Sequence, residues 1–413
     1  MKSSLKNLLL LALALIMALS SVAFAEGEAL TPGVTVYADE DSITGYSATF
    51  VYEDAEAESV DVVGTFVFYE AGEKIGSLPE TRYTPDEWKP GLIMANDSDY
   101  AVAQPMTKVD GTDYWTATLA LPSGHYFYTY NVDGSEEYIT DPANPDLTST
   151  AETGGRSGFS VLDVPYDAEK QFGSIDYTFM MPLPEAAGTL AFADYTDING
   201  DLAPLAIYLP YGYDAEREEP YKVLYLCHGG GGNEVEWFAK GNIHYVFDRL
   251  IAEGKVEPTI VVAFKNNYHP DAELMNGNLL DYIIPYMEEN YNVGAEPADR
   301  ALAGLSMGGM YTSTVYYDNA DQFSLFGILS GCNADVDLTA LDLDKLTTPT
   351  LVLGGGCYDF GISMNRASFS LHNLTVKLAA LEIPFDYYEV DGGHNWTTWP
   401  PLIRIIAENY LWK

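Results

Sequence analysis

The hydrophobic period of this chain changes once, near residue 166, and that change limits its architecture more than any other feature. Before it, short runs alternate apolar and polar residues: Tyr46-Ser47-Ala48-Thr49-Phe50-Val51-Tyr52, Val60-Asp61-Val62-Val63-Gly64 and Tyr114-Trp115-Thr116-Ala117-Thr118-Leu119. Turn residues such as Asp110-Gly111 and Asp133-Gly134 separate them. That pattern predicts a small all-β, immunoglobulin-like antiparallel sandwich. After residue 166, apolar runs such as Val223-Leu224-Tyr225-Leu226, Ile260-Val261-Val262-Ala263-Phe264 and Thr350-Leu351-Val352-Leu353 alternate with helical patterns. In the segment after Asn242, for instance, Ile243, Val246, Phe247, Leu250 and Ile251 fall on one helix face. Strand–helix alternation predicts an α/β domain, a mostly parallel sheet with helices on both faces. Two domains are therefore expected, over 26–165 and 166–413.

Residues 1–25 stand apart from both. Lys2 and Lys6 precede an apolar run from Leu8 to Leu19, and Ala23-Phe24-Ala25 fits a small-x-small cleavage site. This predicts a secretory signal peptide removed before Glu26, and hence a secreted, extracellular protein. No later stretch is long and apolar enough to span a bilayer, so no membrane association is expected after cleavage. Charge excludes other partners. Lys+Arg is 20 against Asp+Glu 61, a net −41. The phosphate backbone of nucleic acid repels such a surface, and so does anionic lipid. Three cysteines cannot make a dense disulfide framework.

The chemistry sits in the second region. Gly304-Leu305-Ser306-Met307-Gly308 fits G-x-S-x-G, with Ala301-Leu302-Ala303 before it as a strand and a helical run after it. In that context the glycines allow a sharp strand-to-helix turn that exposes the Ser306 hydroxyl as a nucleophile. A serine hydroxyl needs a base. His394, in Asp391-Gly392-Gly393-His394-Asn395-Trp396, follows the last predicted strand. It and His372 are the histidines that come late enough for the order nucleophile, acid, base, and His372 sits inside a helical pattern. The acid that orients the imidazole is Asp359 by first choice, after Gly354-Gly355-Gly356 at a strand end; Asp335 and Asp337, after the preceding strand, are its rivals. His228-Gly229-Gly230-Gly231-Gly232 leaves backbone N–H groups free for a developing oxyanion. Gly230 and the residue after the nucleophile, Met307, are the expected donors. Nothing in this scheme needs a metal or organic cofactor. Asp197-Ile198-Asn199-Gly200 reads as a hairpin turn and not a calcium loop, because Tyr195 and Ala206 stand where the first and closing ligands belong. Cys332 and Cys357 lie at neighbouring strand ends, where a disulfide is conceivable.

Together these motifs resemble carbohydrate esterase family 1, the feruloyl and acetylxylan esterases on the α/β-hydrolase fold, over residues 170–413. The resemblance is carried by Tyr221 to Gly232 with Trp237 beyond, Leu250 to Lys255, Ile284 to Glu288, Arg300 to Gly309, and Gly392-Gly393-His394-Asn395-Trp396. It implies Ser306, Asp359 and His394 as a triad. It implies a serine esterase acting on plant cell-wall polysaccharide, feruloylated or acetylated xylan, with siderophore esterases sharing the motifs. A non-catalytic binding protein on a hydrolase scaffold is the alternative of another class. The front region resembles carbohydrate-binding module family 48 through Tyr114-Trp115, Leu121 to Tyr126, Val132-Asp133-Gly134 and Thr140 to Pro145. That resemblance offers Trp88 or Trp115 as a sugar platform, with core packing as the alternative. Large apolar residues near the catalytic positions, Trp237, Tyr358, Phe360 and Trp396, are the expected walls of a ferulate cleft.

Overall fold

The computed structural model describes residues 30–70, 81–96, 101–150, 153–266, 271–363 and 368–413; the expected signal peptide, 1–25, lies outside them. Residues 33–164 form two four-stranded antiparallel sheets. The first runs in the order Gly33–Ala38, Tyr46–Glu53, Tyr114–Ala120, Thr107–Lys108; the second in the order Ser160–Val164, Gly124–Val132, Val60–Gly64, Val102–Pro105. A short antiparallel hairpin pairs Phe68–Glu70 with Leu92–Met94, and most of its side chains are buried. Alternation is visible in the burial: Val60, Val62 and Gly64 point in, while Asp61 and Val63 are half-buried. The Tyr128 and Tyr130 hydroxyls both donate to the buried Asp141 carboxylate, at 2.7 and 3.3 Å, which ties the Thr140–Pro145 loop to the sheet.

Residues 189–390 form an eight-stranded sheet in the order Thr189–Thr196, Leu202–Leu209, Thr259–Phe264, Lys222–Cys227, Arg300–Leu305, Leu325–Leu329, Thr350–Gly356, Asp386–Val390. The first two pairings are antiparallel and the rest parallel. Successive residues of a strand point to opposite faces. Leu224, Leu226, Ala301 and Ala303 therefore pack with the helices Ile243–Ala252 and Trp399–Asn409. Val223, Tyr225, Leu302 and Phe326 pack on the other face with Met307–Asn319 and Leu371–Ala380. The first of these cores runs without a break into the interior of the antiparallel sheets, through Phe50, Phe66, Tyr126 and Phe179. The two regions thus share packing. Among the described residues no helix is long and apolar enough to cross a membrane.

The packing decides three expectations. Trp88 and Trp115 are 2% and 6% exposed and belong to the core, and the Trp115 indole N–H donates to the Asp54 carbonyl at 3.2 Å. They pack because each ring is enclosed by the sheets, so neither offers a face to sugar. Cys332 and Cys357 are both buried and are not joined in a disulfide. Cys332 faces the Ser370 carbonyl at 3.4 Å, whereas Cys357 sits in an apolar cluster with Val67, Tyr69 and Ala95. Asp197–Asp201 is a hairpin turn in which the Asp197 carboxylate accepts from the N–H groups of Asn199 and Asp201, both at 2.9 Å.

Candidate active site

Ser306 separates the strand Arg300–Leu305 from the helix Met307–Asn319, at φ 55° and ψ −117°. A non-glycine residue held there is strained, and the neighbours explain how it persists. A Cβ on Gly304 would lie 2.3 Å from the Gly308 carbonyl oxygen, and one on Gly308 would lie 2.4 Å from that of Cys227. Only glycine at both positions lets strand and helix close this tightly. The Ser306 N–H donates to the Leu329 carbonyl at 2.9 Å, fixing the turn to the adjacent strand.

His394 reaches the elbow from the loop after Asp386–Val390. Its Nε2 is 2.9 Å from Ser306 Oγ and its Nδ1 is 2.7 Å from Asp359 Oδ1. A carboxylate only accepts, so Nδ1 carries the proton and Nε2 accepts from the serine hydroxyl. Asp359 is fully buried. Its Oδ1 also accepts from the Gly361 N–H at 2.6 Å, and its Oδ2 is buried with no hydrogen-bond partner among the described residues. The rivals sit elsewhere: Asp335 and Asp337 are exposed, and Asp337 caps the Thr339 N–H at 3.1 Å.

The His394 ring is held on two sides. Phe360 stacks on it with centroids 3.9 Å apart, and Trp399 meets it edge-on at 5.4 Å. The Trp399 indole N–H donates to Ser330 Oγ at 2.8 Å, and Ser330 itself has φ 56°. Sequence patterns did not single out Ser330; the signal was a Ser-Gly pair directly after a strand.

Gly230 is exposed and lies against the residue after the nucleophile, since a Cβ on it would be 2.6 Å from Met307 Sδ. Met307 opens its helix, so no intrahelical bond takes its N–H. His228 steadies this loop. The Asn266 N–H donates to its Nε2 at 3.4 Å, and its Nδ1–H donates to the Gly229 carbonyl at 2.7 Å. Burial lowers the pKa of His228 and keeps it neutral in that tautomer. Glu234, another residue the sequence analysis passed over, is 1% exposed and accepts from the Gly155 N–H at 2.6 Å and from the Ser149 hydroxyl.

The expected cleft walls are placed differently. Trp237 and Trp396 are 0% and 5% exposed and meet edge-to-face at 5.5 Å; Tyr358, 3% exposed, packs on Tyr69. All three lie beneath the loops. Phe360 alone of the four is partly exposed. Among the described residues no group of His, Cys, Asp and Glu side chains is arranged to hold a metal ion.

Residues 198–339, which include Gly230, Ser306 and Met307, match the family model described as "Putative esterase". The chain is 37% identical over 236 residues to an endo-1,4-beta-xylanase/feruloyl esterase of Xylanibacter ruminicola, covering 54% of this chain and 31% of that protein. It is 33% identical over 190 residues to endo-1,4-beta-xylanase Y of Acetivibrio thermocellus, covering 42% of this chain and 17% of that one. The chain thus spans a third or less of the length of these relatives. The enterobactin esterase of Shigella flexneri shares its fold over 92% of this chain and 96% of that one, with a TM-score of 0.51 at 15% identity. That likeness extends through both regions and concerns the fold alone. The family match and the Ser306–His394–Asp359 geometry together support a carboxylic ester hydrolase.

Proposed function

We propose that this chain is a secreted serine esterase of plant cell-wall polysaccharide that releases ferulic acid from feruloylated arabinoxylan. One observation carries the chemistry: the continuous hydrogen-bond path from Ser306 Oγ through His394 to the buried Asp359. Ser306 Oγ attacks the ester carbonyl as His394 Nε2 takes its proton. Asp359 holds the imidazole in the required tautomer and stabilises the imidazolium. The N–H groups of Gly230 and Met307 face the developing oxyanion. His394 then passes its proton to the departing sugar hydroxyl, leaving an acyl-serine. Water, deprotonated by His394, attacks that acyl group, and the acid departs as the Ser306 hydroxyl is restored.

The substrate side of the proposal draws on the names of the two xylanase relatives, one of which includes feruloyl esterase. Trp237, Tyr358 and Trp396 are buried and lend it no support; Met307 and Phe360 are partly exposed apolar groups beside nucleophile and base. The siderophore alternative has a likeness of fold behind it, and fold does not set substrate. A polysaccharide substrate also gives a use to a groove of about 290 Å³ on the outer face of the second antiparallel sheet, lined by Val63, Thr65, Thr129, Tyr138 and Phe159. Tyr138 is 61% exposed there. It takes the role that the sequence offered to Trp88 and Trp115.

The test compares specificity constants on methyl ferulate and on an acetylated xylo-oligosaccharide. Preference for ferulate is expected. Preference for the acetyl ester replaces the reading with acetylxylan esterase, and turnover of neither, without fluorophosphonate labelling, replaces it with a binding protein.

A further inference from the structure

The antiparallel region touches each of the three loops that carry the proposed catalytic groups. On the acid loop, Tyr358 precedes Asp359 directly. Its ring packs edge-to-face on Tyr69 of the Phe68–Glu70 hairpin strand, with centroids 6.0 Å apart and planes at 88°. Val67, Ile93 and Ala95 close the same cluster around Tyr358 and Cys357. On the base loop, the N–H of Trp396, two residues after His394, donates to the Asn96 carbonyl at 3.2 Å. On the oxyanion loop, Asn233 donates to the Arg156 carbonyl at 2.9 Å, and Glu234 accepts from Gly155.

The contact on the acid loop is buried. Tyr69 is 1% exposed and Tyr358 3%. The acid and base loops are also tied to each other, because the Tyr358 N–H donates to the Gly392 carbonyl at 3.0 Å. A displacement of Tyr358 is therefore passed both to Asp359 and to the turn that carries His394. The acid loop leaves its strand through the Gly354-Gly355-Gly356 run, which contributes no side chains at that edge. The residues that cluster with Cys357 and Tyr358 come from about 260 to 290 residues earlier in the chain.

We infer that Tyr69 is a positioning residue for the triad: through Tyr358 it holds Asp359 in register with His394, so that the antiparallel region completes the active site as well as preceding it. This rests on the ester-hydrolase reading. It adds a residue of the first region to a site whose catalytic groups all lie in 166–413.

The experiment uses the full chain and a small soluble ester, p-nitrophenyl acetate, which carries no polysaccharide. Tyr69→Ala is expected to lower kcat about tenfold with KM little changed, because the loss lies in alignment and not in binding. Tyr69→Phe, which keeps the ring edge, is expected to restore kcat. Tyr358→Ala is expected to lower kcat similarly, and the double variant to be no worse than either single, since both remove one coupling. If Tyr69→Ala does not fold, Tyr69→Leu retains the apolar volume and carries the same expectation. Unchanged kcat in folded Tyr69→Ala or Tyr69→Leu, or losses that multiply in the double variant, overturns the inference. Inactivity of the unaltered chain on every ester overturns the hydrolase reading instead.

Discussion

Phe360 lies nearly parallel to the imidazole of His394, with ring centroids 3.9 Å apart and planes inclined by 30°. Phe369 stacks on Phe360 in turn at 6.0 Å, and it can do so because Gly331, at φ 151°, has no Cβ to strike its ring. An aromatic face favours the imidazolium over the neutral ring, and the imidazolium forms when Ser306 attacks. Phe360→Ala is therefore expected to lower kcat by about tenfold, the size of an exposed to partly desolvated cation–π contact. Steady-state kinetics on methyl ferulate check this. A raised KM with unchanged kcat would make Phe360 a wall of the acyl cleft instead.

Asp359→Asn is expected to be severe, a loss on the order of 10⁴ in kcat, because an amide at that place turns the imidazole to the wrong tautomer. Asp335→Asn and Asp337→Asn are expected to stay near full activity, since both side chains are exposed. A crippled Asp337→Asn beside a mild Asp359→Asn reverses the assignment of the acid.

Tyr138→Ala is expected to leave turnover of methyl ferulate unchanged and to reduce retention on insoluble arabinoxylan, because its ring is exposed at the groove on the outer sheet face. A pull-down with the polysaccharide, run beside the small-ester assay, reads both. Equal retention of both proteins removes that groove from the account.

His228 makes stability depend on pH. Its pKa in the folded chain is lowered by burial, while the unfolded chain titrates near 6.5. Between those values the unfolded state binds a proton that the folded state does not. The contribution is therefore present above about 6.5 and is lost as pH falls below it. Urea midpoints at pH 7 and pH 5 are expected to differ less in His228→Gln than in the unaltered chain, since the other acid-sensitive groups are common to both. Identical differences contradict the assignment.

What the sequence made legible was local. Ser306 stood out because a nucleophile elbow is written within five residues, and His394 because chain order leaves few histidines after it. Asp359 was harder, because a catalytic acid is an ordinary loop aspartate until the fold brings it to the base. Trp237, Tyr358 and Trp396 looked like cleft walls for a physical reason: large apolar residues in loops imply either a ligand or a neighbour, and sequence alone does not show the neighbour. The neighbours here include Tyr69 and Asn96, far away in the chain. The same separation hid the join between the two regions. A change of hydrophobic period marks where one sheet type gives way to another, but it carries no information on how the two pack.

The most direct test of the central claim is intact-mass analysis of the full chain after treatment with a fluorophosphonate, with peptide mapping of the product. A nucleophile activated by His394 attacks phosphorus as it attacks an ester carbonyl. A single adduct on the peptide that contains Ser306 is expected, absent from Ser306→Ala and much slower to form in His394→Ala. No adduct on the unaltered chain, or an adduct that persists in Ser306→Ala, would contradict the account.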